Sequence, residues 1–183
     1  MIFPLFRRGR QPDTISTLYG MIVAQARLPC FYRDYGVPDT VNGRFDMIVL
    51  HLALVLDPLM RDPAQREAGQ ALFDHFCRDM DNNLREIGIS DLKVPKEMRR
   101  MGEAFYGRAQ AYAAALAADG DQALVETVAR NVYDAPPPGP AVAARLAAYI
   151  REAVREVAAQ DVAAVAVGAL RLPDPAAIPA VAV

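Results

Sequence analysis

The stretch Arg44-Phe45-Asp46-Met47-Ile48-Val49-Leu50-His51-Leu52-Ala53-Leu54-Val55-Leu56 decides the fold. Phe45, Ile48, Val49, Leu52 and Leu56 repeat at helical spacing, while Met47, Leu50, Leu54 and Val55 fill the other faces. A helix apolar nearly all round belongs at the centre of a bundle, with others packed about it. It is too short to span a bilayer, which needs about 20 apolar residues. The spacing therefore predicts a central buried helix over about 44–56, punctuated by Pro58 and Pro63.

Working outward, helical periodicity accounts for nearly the whole chain. Asp13 can cap a first helix to about Ala26, with Ile15, Leu18, Ile22 and Ala26 on one face and Pro29 stopping it. Residues 31–42 read as an ordered loop around Phe31, Tyr32 and Tyr35. A third helix over about 64–87 carries Ala68, Leu72, Phe76, Met80, Leu84 and Ile87 as its seam, ending at Gly88. Pro95 opens a fourth, with Met98, Met101, Phe105, Ala109, Tyr112 and Leu116 inward and Gly120 at its end. A fifth spans about 121–133, and Asp134 to Pro140 reads as a stiff turn. An alanine-rich sixth helix runs to about Arg171, its first half amphipathic through Val142, Leu146, Ile150, Val154 and Val157. The expected architecture is all-α: a single-domain bundle of about six helices over 13–172, with a flexible basic N-terminus over 1–12 and a disordered Pro- and Ala-rich tail over 173–183.

At 183 residues the chain is long enough to bury a full core. A net charge of −2 provides no global field to recruit DNA, and no direct DNA binding is expected. Lysine is confined to Lys93 and Lys96, and arginine and alanine abound, a composition of GC-rich bacterial genomes. Cys30 and Cys77 form no disulfide framework, which suits a reducing cytoplasm. The N-terminal order, an apolar tip before Arg7, Arg8 and Arg10, is reversed from that of a secretory signal. A frayed terminus is the expected reading, with peripheral contact of those three arginines with an anionic inner-membrane surface as the alternative.

No self-contained catalytic site emerges. Cys30, His51, His75 and Cys77 are the available soft or imidazole ligands, but His75 and Cys77 lie two apart on a helix and point away from each other. His51, alone on an apolar helix, reads as a hydrogen-bonded core histidine. The run Asp74 to Asp81 invites comparison with magnesium-holding helices, and a metal- or diphosphate-dependent enzyme using Asp74, Asp79 and Asp81 is the enzymatic alternative. Such a site needs a second acidic helix facing the first, and none is apparent. Asp74, Arg78, Asp81 and Arg85 read instead as a charge-alternating solvated ladder, beside a polar strip of Asp79, Asn82, Asn83 and Glu86. No phosphate-binding glycine loop or nucleophile elbow is present, and no cofactor or metal is implied. What remains is surface. Lys93, Lys96, Arg99 and Arg100 make a basic start to the fourth helix, Tyr106 lies off its buried stripe, and Gly102 and Gly107 suggest close approach of another backbone. A generic protein-binding adaptor would use the same surfaces.

The runs Phe31-Tyr32-Arg33-Asp34-Tyr35-Gly36-Val37-Pro38-Asp39-Thr40, Gly43 to His51, Asp79-Met80-Asp81-Asn82-Asn83-Leu84-Arg85-Glu86, Val94-Pro95-Lys96 and Phe105-Tyr106-Gly107-Arg108 together resemble the ubiquinol–cytochrome c chaperone family, in a bacterial version, over about residues 14–118. The resemblance implies a helical, non-enzymatic assembly factor of the cytochrome bc complex. Mitochondrial members, with a small partner protein, act at the ribosome and receive newly made cytochrome b. A protein client (cytochrome b or its insertion machinery) and the ribosome are the implied partners, met through Lys96, Arg99, Arg100, Tyr106, Asp79, Asn82, Asn83 and Glu86. The family offers no catalytic motif to transfer. Replacing Arg99 and Arg100 by Glu is expected to weaken partner recovery in affinity purification while circular dichroism stays unchanged.

Overall fold

A computed structural model of the chain describes residues 11–133 and 139–180. Eight α-helices lie in that portion: α1 (Gln11–Ala26), α2 (Pro29–Arg33), α3 (Val41–Arg61), α4 (Arg66–Glu86), α5 (Val94–Ala117), α6 (Gln122–Val132), α7 (Pro140–Ala158) and α8 (Val162–Ala166), followed by a 3-10 turn at Pro175–Ala177. No strand occurs among the described residues. The all-α, single-domain expectation is borne out, with α2 and α8 added as short elements. The N-terminal arginines Arg7, Arg8 and Arg10, and most of the Asp134 to Pro140 turn, lie outside the described residues.

α3 is the central helix, as its all-round apolarity requires: Met47, Val49, Leu50, Leu52, Val55 and Leu59 are wholly buried. Each such side chain contributes about 1.5–3 kcal/mol relative to exposure. α1, α4, α5, α6 and α7 surround it. α3 starts earlier than expected because Thr40 caps it, its hydroxyl accepting from Gly43 N at 3.1 Å. Gly43 is required there, since a Cβ would stand 2.0 Å from the Pro38 carbonyl oxygen. α3 also continues through Pro58, because the added turn buries Leu59 against α4, where Gly69 leaves room for Leu59 and Met60.

The single histidine of α3 organises the polar interior. His51 donates from Nδ1 to the Met47 carbonyl at 2.8 Å, and that acceptor assigns the proton to Nδ1. Nε2 then accepts from the Tyr149 hydroxyl of α7 at 2.8 Å. Gln25 of α1 donates to the same hydroxyl at 3.0 Å and to the Pro173 carbonyl at 2.8 Å. Phe31 closes the cluster, its ring edge-on to both His51 and Tyr149.

Three sequence expectations are corrected. The sixth helix does not run to Arg171: α7 ends at Ala158, where Gln160 turns back to bond both the Arg171 N–H and the Arg171 carbonyl, and Asp161 caps α8. The tail is not disordered over 173–180. Tyr35 donates to the Pro175 carbonyl at 2.7 Å, Arg145 donates to the Ile178 carbonyl at 2.9 Å, and Pro175 is buried. A segment poor in large apolar groups is thus held by donors from the α2–α3 loop and α7. The α4 seam stops short of Ile87, which stands 70% exposed beyond the end of the helix.

Burial disfavours the imidazolium of His51 and pushes its pKa down to about 4 from an ordinary 6.5. Above pH 6.5 both states are neutral. As pH falls toward 4 the unfolded chain alone takes the proton, so stability declines, by about 3 kcal/mol from this group. Urea unfolding from pH 7 to 4 is expected to show a shallower loss in His51→Phe than in the parent chain, from a lower starting stability.

Candidate functional site

α5 packs on α4 through rings: Phe105 lies 5.0 Å from Phe73 and 5.8 Å from Phe76 between centroids, and Tyr106 lies 5.6 Å from Phe73. Further along, α5 turns small residues toward α3 and α7. Ala109, Ala113 and Ala117 occupy positions that larger side chains would fill, and a groove of about 470 Å³ opens between α3, α4, α5 and α7. Leu54, Leu56, Phe105, Tyr112, Leu116 and Val157 provide much of its apolar lining. Tyr106, 62% exposed, stands beside it, and Met60, part-exposed, supplies a deformable thioether.

The charged and amide groups at this groove are already engaged. Asp57 and Arg61 pair with each other at 3.0 Å, and Gln70 donates to Asp74 at 2.8 Å. A groove of this size, mostly apolar, fits apolar side chains of another molecule, and it lacks the convergent polar groups that orient a small substrate.

α5 is tied to α3 by Arg108, whose Nη2 lies 2.7 Å from Asp46 Oδ1 with both groups largely buried. Tyr112 lies deep nearby, its phenol pKa raised by burial and then by the Asp46 charge. This tie holds α5 across α3 and so sets one wall of the groove.

The residues expected to meet a partner divide into two sets. Lys96, Arg99 and Arg100 are exposed at the start of α5, with Arg100 paired to Glu97 at 3.1 Å. Tyr106 is exposed two turns later. Asp79 is not a free surface carboxylate: it accepts from the Tyr19 hydroxyl of α1 at 2.7 Å, and burial, then this bond, raises the phenol pKa. Asn83 donates to the Asp79 carbonyl of its own helix, while Asn82 and Glu86 are exposed. Asp79 and Phe73 are six residues apart on α4, about 120° around its axis. The polar strip therefore turns toward α1, and the ring contacts turn toward α5.

Asp74, Asp79 and Asp81 are bonded to Gln70, Tyr19 and Arg85 respectively; Asp74 and Asp81 share one face of α4, and Asp79 lies about 140° around the axis from Asp74. No group of three or more His, Cys, Asp or Glu among the described residues is placed to hold a metal ion. Cys30 and Cys77 are free thiols, and His75 packs its ring 5.0 Å from Tyr19. The amphipathic first half of the last long helix turns its apolar face into the core: Leu146 and Ile150 are wholly buried. Phe105 is core as well.

The chain is similar over 98% of its length to a crystal structure of the Cbp3 homolog from Brucella abortus, whose whole length is covered, at 36% identity and a TM-score of 0.86. No curated protein matches. The model of the ubiquinol-cytochrome C chaperone family matches residues 33–172. The bundle belongs to a class of chaperones, and the chain is a member of the ubiquinol-cytochrome C chaperone family. The family match extends past residue 118 through α6, α7 and α8, a part whose likeness the quoted motifs do not carry.

Sequence reasoning missed the groove. Its signal was the alanine pattern of α5, which reads as helix propensity until neighbouring helices are in place. Gly102 and Gly107 were expected to mark a close backbone approach, yet an added Cβ meets nothing within 4 Å at either position. Gly107→Ala is therefore expected to raise stability by about 0.8–1 kcal/mol, seen as a rise of roughly 2–4 °C in Tm by calorimetry.

Proposed function

We propose that this protein is a non-enzymatic assembly chaperone of the ubiquinol–cytochrome c oxidoreductase, and that it receives an apolar segment of newly made cytochrome b in the groove between α3, α5 and α7. The observation that carries this reading is the groove itself: a largely apolar recess floored by Leu54, Leu56, Phe105 and Val157 and edged by the exposed Tyr106 and Met60, with Asp57 and Arg61 at its rim paired to each other. Exposed apolar surface on a stable protein marks an interaction site. A helix laid into such a groove buries its apolar face without demanding specific hydrogen bonds. Family membership supports the assembly role, and a chaperone has no need of a cofactor. Tyr106, with an apolar ring and a polar tip, is the anchor beside the groove. Lys96, Arg99 and Arg100 add positive charge farther along α5 for an anionic partner, and Asn82 and Glu86 supply the polar strip beyond it.

A photo-crosslinking residue at position 106, activated in host cells, is expected to form an adduct with cytochrome b. Ala113→Trp, which fills the groove from an exposed position, is expected to abolish that adduct and to lower the yield of assembled complex while leaving the bundle folded. Adducts with unrelated soluble proteins alone, or an undiminished adduct in Ala113→Trp, would replace this reading with that of a generic adaptor.

A further inference from the structure

The turn between α4 and α5 carries two apolar side chains that the fold does not use. Leu92 is 95% exposed and Ile87 is 70% exposed. Both stand on a tightly bonded backbone. Gly88 N donates to Arg85 O at 3.0 Å and Ile89 N to Leu84 O at 3.0 Å, closing the end of α4. Lys93 N and Val94 N both donate to Ser90 O, at 2.8 and 3.1 Å, and Val94 is buried. The turn is thus a fixed tip that holds Ile87 and Leu92 toward solvent.

Charge surrounds the tip. Of its acids, Asp91 is engaged by Arg85 and Glu97 by Arg100, leaving Glu86 as the exposed carboxylate on the α4 side. Lys93, Lys96 and Arg99 make no ion pair with any described residue, so three free cations flank the two aliphatic side chains. A rigid apolar point ringed by unpaired cations has the chemistry of an interfacial anchor: the aliphatic groups enter the acyl boundary and the cations remain among anionic headgroups. An acidic protein would account for the cations but not for Leu92. A nucleic acid would call for aromatic stacking, and the tip has no aromatic side chain. No helix among the described residues is long and apolar enough to cross a membrane, so such a contact is peripheral.

We propose that the α4–α5 turn seats this chaperone on an anionic lipid bilayer, with Leu92 and Ile87 inserted and Lys93, Lys96 and Arg99 on the headgroups. The inference names the anionic partner left open for the basic start of α5, and it is tested without the client. From Val94 to Tyr106 is roughly 18 Å of helix, which keeps the groove within reach of a client segment at the same membrane.

The full chain is mixed with vesicles of phosphatidylcholine, and with vesicles carrying about one third phosphatidylglycerol, and bound protein is measured by flotation. Binding to the anionic vesicles only, weakened by salt, is expected. Leu92→Ser and the double variant Lys93→Glu/Lys96→Glu are each expected to lower partitioning at least about tenfold with unchanged helicity. A variant with Arg7, Arg8 and Arg10 all replaced by Ser is expected to retain binding. Absence of binding to anionic vesicles overturns the proposal. So does Leu92→Ser binding as tightly as the parent chain, the mark of an unspecific charge attraction or of a site for acidic protein. Complete loss in the arginine variant would also overturn it, by moving the contact to the N-terminus.

Discussion

The bond from the Tyr149 hydroxyl to Nε2 of His51 is the constraint on which the rest of the structure depends. It places a polar pair inside the most apolar helix of the chain, where an unmet donor or acceptor costs about 1–3 kcal/mol. α7 can satisfy His51 at one register only, and Tyr149 in turn needs its second partner from Gln25. The remaining Gln25 proton reaches the Pro173 carbonyl, so one chain of bonds fixes α1, α3, α7 and the C-terminal segment at one level. Apolar packing alone would allow α7 to slide along α3; the hydrogen bonds do not.

The other half of the bundle is held differently. α4 and α5 meet through the rings of Phe73, Phe76, Phe105 and Tyr106, and the Arg108–Asp46 pair ties α5 to α3. Where the rings end and the alanines of α5 begin, the helices no longer fill the space between them, and the groove opens. A polar lock keeps one side of α3 closed, while the alanine face of α5 keeps the other side open.

Much of this was legible in the residues. The all-round apolarity of 44–56 placed α3 at the centre, Gly88 and Pro95 marked the α4–α5 turn, and the off-stripe position of Tyr106 put it on the surface. Some signals pointed the wrong way. Pro58 reads as a helix stop, but Leu59 buries deeply enough to hold one more turn. Gly102 and Gly107 look like packing glycines, yet an added Cβ would meet nothing within 4 Å, whereas a Cβ at Gly43, in the first turn of α3, would run into the Pro38 carbonyl. Asp79 reads as part of a solvated strip, and its bond to Tyr19 depends on a residue sixty positions earlier.

The sequence by itself determined the helical class, the central helix and the family, because periodicity and local motifs are properties of neighbours along the chain. Only the tertiary structure decided that His51 is locked by Tyr149, that residues 173–180 are ordered, and that the alanines of α5 border a groove. The partners in those cases are far apart: Gln25 and Tyr149 are separated by 124 residues, Tyr35 and Pro175 by 140, and Gln25 and Pro173 by 148. A hydrogen bond across such a span leaves no periodic trace, and a groove is a space between helices rather than a property of any one of them.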